Sequence, residues 1–102
     1  MLIVEGWIRF AAGEIERLTG AARTMIAETR KEPGCLDYAF SRDLVDPDVM
    51  RISERWVDDA ALAAHFASPH MAAFQAALGD AKREGGSVKS YTAELQRTLI
   101  GD

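Results

Sequence analysis

The chain has 102 residues, 48% of them hydrophobic and 27% charged, which is the composition of one soluble domain spanning residues 1–102. Its formal net charge of −4 argues against a nucleic-acid partner, because surfaces that bind nucleic acid are normally basic. No segment has the apolar length that spans a bilayer, and residues 1–10 lack the basic start of a signal peptide, so no membrane association is expected. Cys35 is the single cysteine, which favours a reducing, cytoplasmic compartment.

The first half of the chain predicts a strand, a helix and a hairpin. Residues 1–10 are rich in strand-forming side chains, and residues 14–31 repeat apolar side chains at helical spacing up to the Pro-Gly turn at positions 33 and 34. Residues 35–44 and 49–57 alternate apolar and polar side chains across a short turn, which is typical of a hairpin. The side chains expected to face the core from this hairpin are Leu36, Tyr38, Phe40, Met50, Ile52, Glu54 and Trp56.

The second half predicts a helix in two pieces and a last strand. Asp58 or Asp59 can cap a short helix, and Ser68 followed by Pro69 is typical of the start of another. The sequence REGGS at residues 83–87 is expected to end this second piece, and residues 88–95 to form the final strand. The order β-α-β-β-α-β predicts an α+β, ferredoxin-like fold, with a four-stranded antiparallel sheet covered by helices on one face.

The first strand carries apolar groups on both of its faces. Val4 and Ile8 have one parity, and Ile3 and Trp7 have the other. Since the helices cover one face only, we expect the same face of a second copy to cover the other, giving a homodimer.

The two histidines, His65 and His70, are five residues apart. Helical metal pairs need a spacing of three or four, and a helix break at Ser68 and Pro69 is expected between them. The sequence therefore predicts no bound metal. Together with Trp56, Phe66 and Phe74, the two histidines are expected to converge on a space between the sheet and the broken helix.

Three segments of the sequence, EPGCLDYAFSRD, ERW and ALAAHFASPHMAAF, together form a pattern that is typical of one protein family. In this order they resemble the antibiotic biosynthesis monooxygenase family, especially its small members that act on quinols. The resemblance implies a dimeric α+β barrel with a pocket between sheet and helices. It also implies oxidation of an electron-rich aromatic substrate, a quinol or a phenol, by O2 without a cofactor. Such chemistry requires a base, a donor for the developing oxyanion and aromatic walls that exclude water.

The resemblance suggests roles for eight side chains. His65 matches the family's histidine and is the expected catalytic base, while Trp56 can stack on a flat substrate and His70 is expected to be a neutral hydrogen-bonding partner. Glu54 is predicted to point inward, where a carboxylate needs an arginine or histidine partner or a catalytic role, and structural pairing is favoured. The residues expected to bind the substrate are Tyr38, Phe40, Glu54, Phe66 and Phe74.

Two other functions stay open at this point. Related enzymes isomerise a small phosphorylated keto compound, which would require a cationic pocket, but the predicted inward residues include no basic side chain other than the histidines. A dimer that only binds an aromatic ligand is the other alternative, since aromatic walls serve both purposes. Haem degradation by the arrangement of asparagine, tryptophan and histidine found in relatives is improbable, because the chain contains no asparagine.

Overall fold

The computed structural model describes residues 1–79 and 81–102 and has the predicted α+β, ferredoxin-like fold. The sheet is antiparallel throughout, with the strand order β2-β3-β1-β4. In the part of the chain that the structure describes, no helix is long and apolar enough to cross a membrane. The elements in chain order are β1 (Leu2–Phe10), α1 (Glu14–Thr29), β2 (Cys35–Arg42), β3 (Val49–Trp56), α2 (Asp59–Phe66), α3 (Pro69–Leu78) and β4 (Arg83–Thr92).

The break in the second helix confirms the prediction from Ser68 and Pro69. The Ser68 hydroxyl accepts a hydrogen bond from the backbone N–H of Met71, and Pro69 occupies the first turn, where its missing N–H costs nothing. Asp58 caps α2 in the same way by accepting from the backbone N–H of Ala61. The chain therefore changes direction between His65 and His70.

The strand parities place the core between the sheet and the helices. Val4 pairs with Glu54 across β1 and β3, and Glu54 pairs with Tyr38 across β3 and β2, so all three side chains face the helices. The helix α1 buries Leu18, Ala22, Met25 and Thr29 against this face. Burial of this apolar surface is the main stabilising contribution to the fold.

Two details of the prediction are wrong. Leu36 is 54% exposed, because a bulge between Cys35 and Asp37 shifts the register of β2 by one residue and turns this side chain outward. The strand β4 begins at Arg83, not at Val88, so the glycines read as a stop signal lie inside the strand. A Cβ atom at Gly86 would lie 3.0 Å from the backbone oxygen of Trp7, so these glycines permit close approach of β4 to β1.

Candidate functional site

A cavity of about 210 Å³ lies between the sheet and the helix α3. All five residues that the sequence predicted to bind a substrate line it: Tyr38, Phe40, Glu54, Phe66 and Phe74. The ring centroids of Tyr38 and Phe40 are 5.2 Å apart, and those of Phe40 and Phe74 are 5.8 Å apart, so the three rings form one continuous wall. Phe66 is 60% exposed and stands at the solvent side.

Glu54 is the acidic group that lines this cavity. Its residue is 7% exposed, and its Oε1 accepts a hydrogen bond of 2.9 Å from the indole Nε1 of Trp56. Burial raises the pKa of the Glu54 carboxyl to about 7, the hydrogen bond from Trp56 opposes that shift, and the charge of Glu32 adds to it. The prediction of an arginine or histidine partner is thus wrong, because the indole N–H of Trp56 takes that place. Among the described residues, the carboxylate has no cationic partner.

The structure also adds a basic residue that the sequence interpretation missed. Arg83 lines the same cavity from the start of β4. The sequence REGGS at residues 83–87 indicates the end of a helix and therefore predicts no inward position there. The cavity is therefore lined by a buried carboxyl group, that of Glu54, and by the side chain of an exposed arginine. On β1, Glu54 pairs with Val4 and Arg83 pairs with Phe10, so the two residues are six positions apart along the sheet. That spacing corresponds to about 20 Å between backbones.

The three residues predicted to be catalytic lie elsewhere. Trp56, His65 and His70 are not among the described residues that line the cavity. His65 is 1% exposed, and its ring lies 4.9 Å from Trp56 and 5.2 Å from Tyr38, measured between centroids. These side chains form a layer adjacent to the cavity wall, with Tyr38 in contact with both the layer and the cavity.

Glu32 joins the two histidines, and the sequence interpretation missed it. Its Oε2 atom lies 2.7 Å from Nδ1 of His65 and 2.8 Å from Nε2 of His70, so the N–H groups at these two ring positions donate hydrogen bonds to the same carboxylate oxygen. The helix break separates the two rings along the chain but turns them toward one point. The partners are 33 and 38 residues away from Glu32, so no local spacing could have identified this contact.

The same three side chains are a group that could hold a metal ion, with one ligand atom each. The helix break between the histidines therefore does not by itself argue against a metal site, contrary to the reasoning from their spacing. The distances nevertheless fit hydrogen bonds, since ligands around a tetrahedral zinc ion stand roughly 3.3 Å apart and these N and O atoms are 2.7 and 2.8 Å apart. The absence of a bound metal stays a prediction.

Comparisons with known proteins identify the family. The model of the family described as "antibiotic biosynthesis monooxygenase" matches residues 1–77. A candidate antibiotic biosynthesis monooxygenase from Deinococcus radiodurans is 28% identical, with a TM-score of 0.87, 99% of this chain covered and 100% of that chain. A protein from Pseudomonas aeruginosa is also 28% identical, with a TM-score of 0.81, 92% of this chain covered and 94% of that one. An uncharacterized protein of Synechocystis sp. is 29% identical over 98 residues, which are 96% of this chain and 67% of the relative.

The chain belongs to the antibiotic biosynthesis monooxygenase family. This confirms the resemblance drawn from the three segments. The fold matches that of the solved relative from Deinococcus radiodurans over nearly its full length. The fold hosts more than one chemistry, so the activity has to be argued from the residues of the site.

Proposed function

We propose that this protein oxidises a small quinol or phenol with O2. The observation that supports the proposal is an aromatic cavity lined by the buried carboxyl group of Glu54, in a member of the antibiotic biosynthesis monooxygenase family. Tyr38, Phe40 and Phe74 hold the flat ring of the substrate, and Phe66 covers it from the solvent side. Water is thereby kept away from the radical pair formed during the reaction.

The stoichiometry requires no reductant besides the substrate. One quinol and one O2 give one hydroxyquinone and one water, because the quinol loses four electrons and the two oxygen atoms gain them. The substrate anion first transfers one electron to O2, and the resulting radical pair then forms a carbon–oxygen bond. Protonation of this peroxide gives a hydroperoxide, and breakage of its O–O bond and of the C–H bond at the same carbon releases water and leaves the new carbonyl group of the product. The proposal therefore needs neither a flavin nor a metal, only an acceptor for the substrate's proton and a closed site.

Oxygen uptake tests the function. Purified protein, freed of flavin and treated with a chelator until elemental analysis shows no transition metal, is given a panel of quinols and phenols with and without a carboxylate substituent. We expect enzyme-dependent uptake of one O2 per product, over the autoxidation measured without protein. The carboxylated members are included because Arg83 lines the cavity. Binding of the panel without any O2 uptake would favour the ligand-binding alternative, and uptake that depends on restored metal would contradict the cofactor-free chemistry.

We also propose that the protein is a homodimer in the cytoplasm, formed through the face of the sheet that carries no helix. This face includes Ile3, Trp7 and Tyr91, and the last two residues are 37% and 48% exposed. A reducing compartment suits a chain whose single cysteine, Cys35, has no partner for an internal disulfide.

Sedimentation at micromolar concentration checks this assembly. We expect a dimer for the natural chain and a shift toward monomer for Trp7→Lys, since a charge placed in an apolar interface is left without a partner. Leu44→Lys is the matched control, because Leu44 is fully exposed in the turn between β2 and β3, away from this face. A natural chain that sediments as a monomer would rule out the dimer.

A further inference from the structure

The proposed oxidation needs an acceptor for the proton of the substrate hydroxyl, and two groups are available near the cavity. One is the carboxylate of Glu54 and the other is the ring of His65, which the sequence favours. Glu54 and His65 each have one side-chain atom without a hydrogen-bond partner among the described residues, and these two atoms differ in their accessibility from the cavity. That difference decides which of them can reach a substrate.

Glu54 presents one oxygen to the cavity. The indole N–H of Trp56 engages Oε1. Oε2 has no hydrogen-bond partner among the described residues, and it is not completely buried. We infer that it is accessible from the cavity that Glu54 lines. A carboxylate held at one oxygen and open at the other is suited to accept a proton from a bound ligand.

His65 has the opposite arrangement. Its Nδ1 is engaged by Glu32, and its Nε2 is completely buried without a partner among residues 1–79 and 81–102. Tyr38 and Trp56 pack against the ring, and the cavity does not reach it. A substrate in the cavity therefore cannot bring its hydroxyl within hydrogen-bond distance of Nε2 unless this wall moves.

We propose that Glu54 is the catalytic base and that Trp56 is a positioning residue that holds it. This rests on the proposed function. The O–H bond of the quinol breaks, its proton moves to Oε2 of Glu54, and the electron pair stays on the substrate oxygen. The resulting anion transfers one electron to O2. The anion and O2 join through a new carbon–oxygen bond, and the proton on Glu54 passes to the terminal oxygen of this peroxide, which restores the carboxylate. The O–O bond and the C–H bond at the same carbon then break, so that water leaves and a carbonyl group forms.

The surroundings of Glu54 fit this role. Burial raises its pKa to about 7, near the pH at which a base is most effective. The titratable groups around it are Cys35 and Tyr38 on β2, Glu32 before β2, and His65 on α2, which packs against Tyr38 and Trp56. Arg83 lines the same cavity at the far end of this face of the sheet. Burial and nearby carboxylates raise the pKa of Tyr38 far above neutrality, so this phenol does not titrate with Glu54.

Glu54→Gln tests the role in turnover. The amide keeps the size of the side chain and an oxygen that accepts from Trp56, so the fold is preserved. We expect kcat to fall by about 10²–10⁴-fold with a smaller change in KM, and the decline of kcat at acid pH to disappear. Glu28→Gln makes the same chemical change on an exposed helix position and is expected to leave both unchanged.

His65→Asn is the competing variant, since its amide N–H replaces the Nδ1 donor to Glu32. Loss of the acid limb in this variant, with the limb retained in Glu54→Gln, would transfer the role of base to His65. An unchanged kcat in folded Glu54→Gln would likewise overturn the inference, while the proposed oxidation would stand.

A binding experiment separates the inference from the oxidation itself. Phenol and toluene differ only in the hydroxyl group and are compared by calorimetry between pH 5 and pH 9. We expect the affinity for phenol relative to toluene to rise with pH in the natural protein, because ionised Glu54 accepts a stronger hydrogen bond, and to stay constant in Glu54→Gln. If no quinol is oxidised, this result would still show that the hydroxyl group of bound phenol contacts Glu54. Equal pH profiles for the two ligands in the natural protein would overturn the inference.

Discussion

Trp56→Ala is expected to lower the free energy of unfolding by about 3–5 kcal/mol, the range for loss of a large buried aromatic side chain. Trp56 is fully buried, and its ring contacts Tyr38 and His65 at centroid distances of 6.2 and 4.9 Å. The variant would also remove the indole N–H, which is the only donor to the Glu54 carboxyl group among the described residues. Since domains of this size have a total stability of about 5–15 kcal/mol, such a loss brings the protein close to unfolding.

Trp56→Phe separates packing from the hydrogen bond. It keeps most of the ring volume but removes the indole N–H, and hydrogen bonds to charged groups contribute about 1.5–3 kcal/mol. We expect its effect to be larger at pH 8 than at pH 5, because Glu54 is mainly ionised only at the higher pH. Urea unfolding of all three proteins at one protein concentration measures this, since a dimer's stability depends on concentration. Equal costs of Trp56→Phe at the two pH values would show that the bond to Glu54 contributes nothing.

The sheet and helices could be predicted because their signals are local. Alternation in β3 predicted the inward positions of Glu54 and Trp56, and the pair Ser68-Pro69 predicted the helix break. The error in β4 arose because a Gly-Gly pair indicates a break when read alone. The strand forms there because β1 supplies backbone partners from Leu2 to Phe10, and glycine at position 86 allows the two strands to approach closely.

The lining of the cavity could also be predicted, and its chemistry could not. Parity and helical spacing bring Tyr38, Phe40 and Phe74 together regardless of their detailed neighbours. The choice between Glu54 and His65 depends on which atoms are already engaged, and those partners, Trp56 and Glu32, are fixed by tertiary packing. Glu32 lies more than thirty residues from His65 along the chain, so its hydrogen bond leaves no periodic signal in the sequence.

The unusual environment of Glu54 should be visible in stability as well as in turnover. Its pKa is about 7 in the folded protein against an ordinary value of 4.5, so the folded state retains a proton that the unfolded chain releases. The stability associated with that proton is fully present below pH 4.5 and is lost as pH rises through 7. Since a difference of one pKa unit corresponds to 1.36 kcal/mol, the total is roughly 3 kcal/mol.

Comparison of the natural protein with Glu54→Gln isolates this contribution. Glu14, Glu16 and Asp43 have pKa values lowered by hydrogen bonds from arginine side chains, so they act in the opposite direction at acid pH, but they are the same in both proteins. Between pH 5 and pH 8 we expect the stability of the natural protein to fall by about 2–3 kcal/mol relative to Glu54→Gln. Urea unfolding across this range provides the measurement. A constant difference between the two proteins would mean that Glu54 titrates as an ordinary carboxyl group, and the base would have to be sought elsewhere in the cavity.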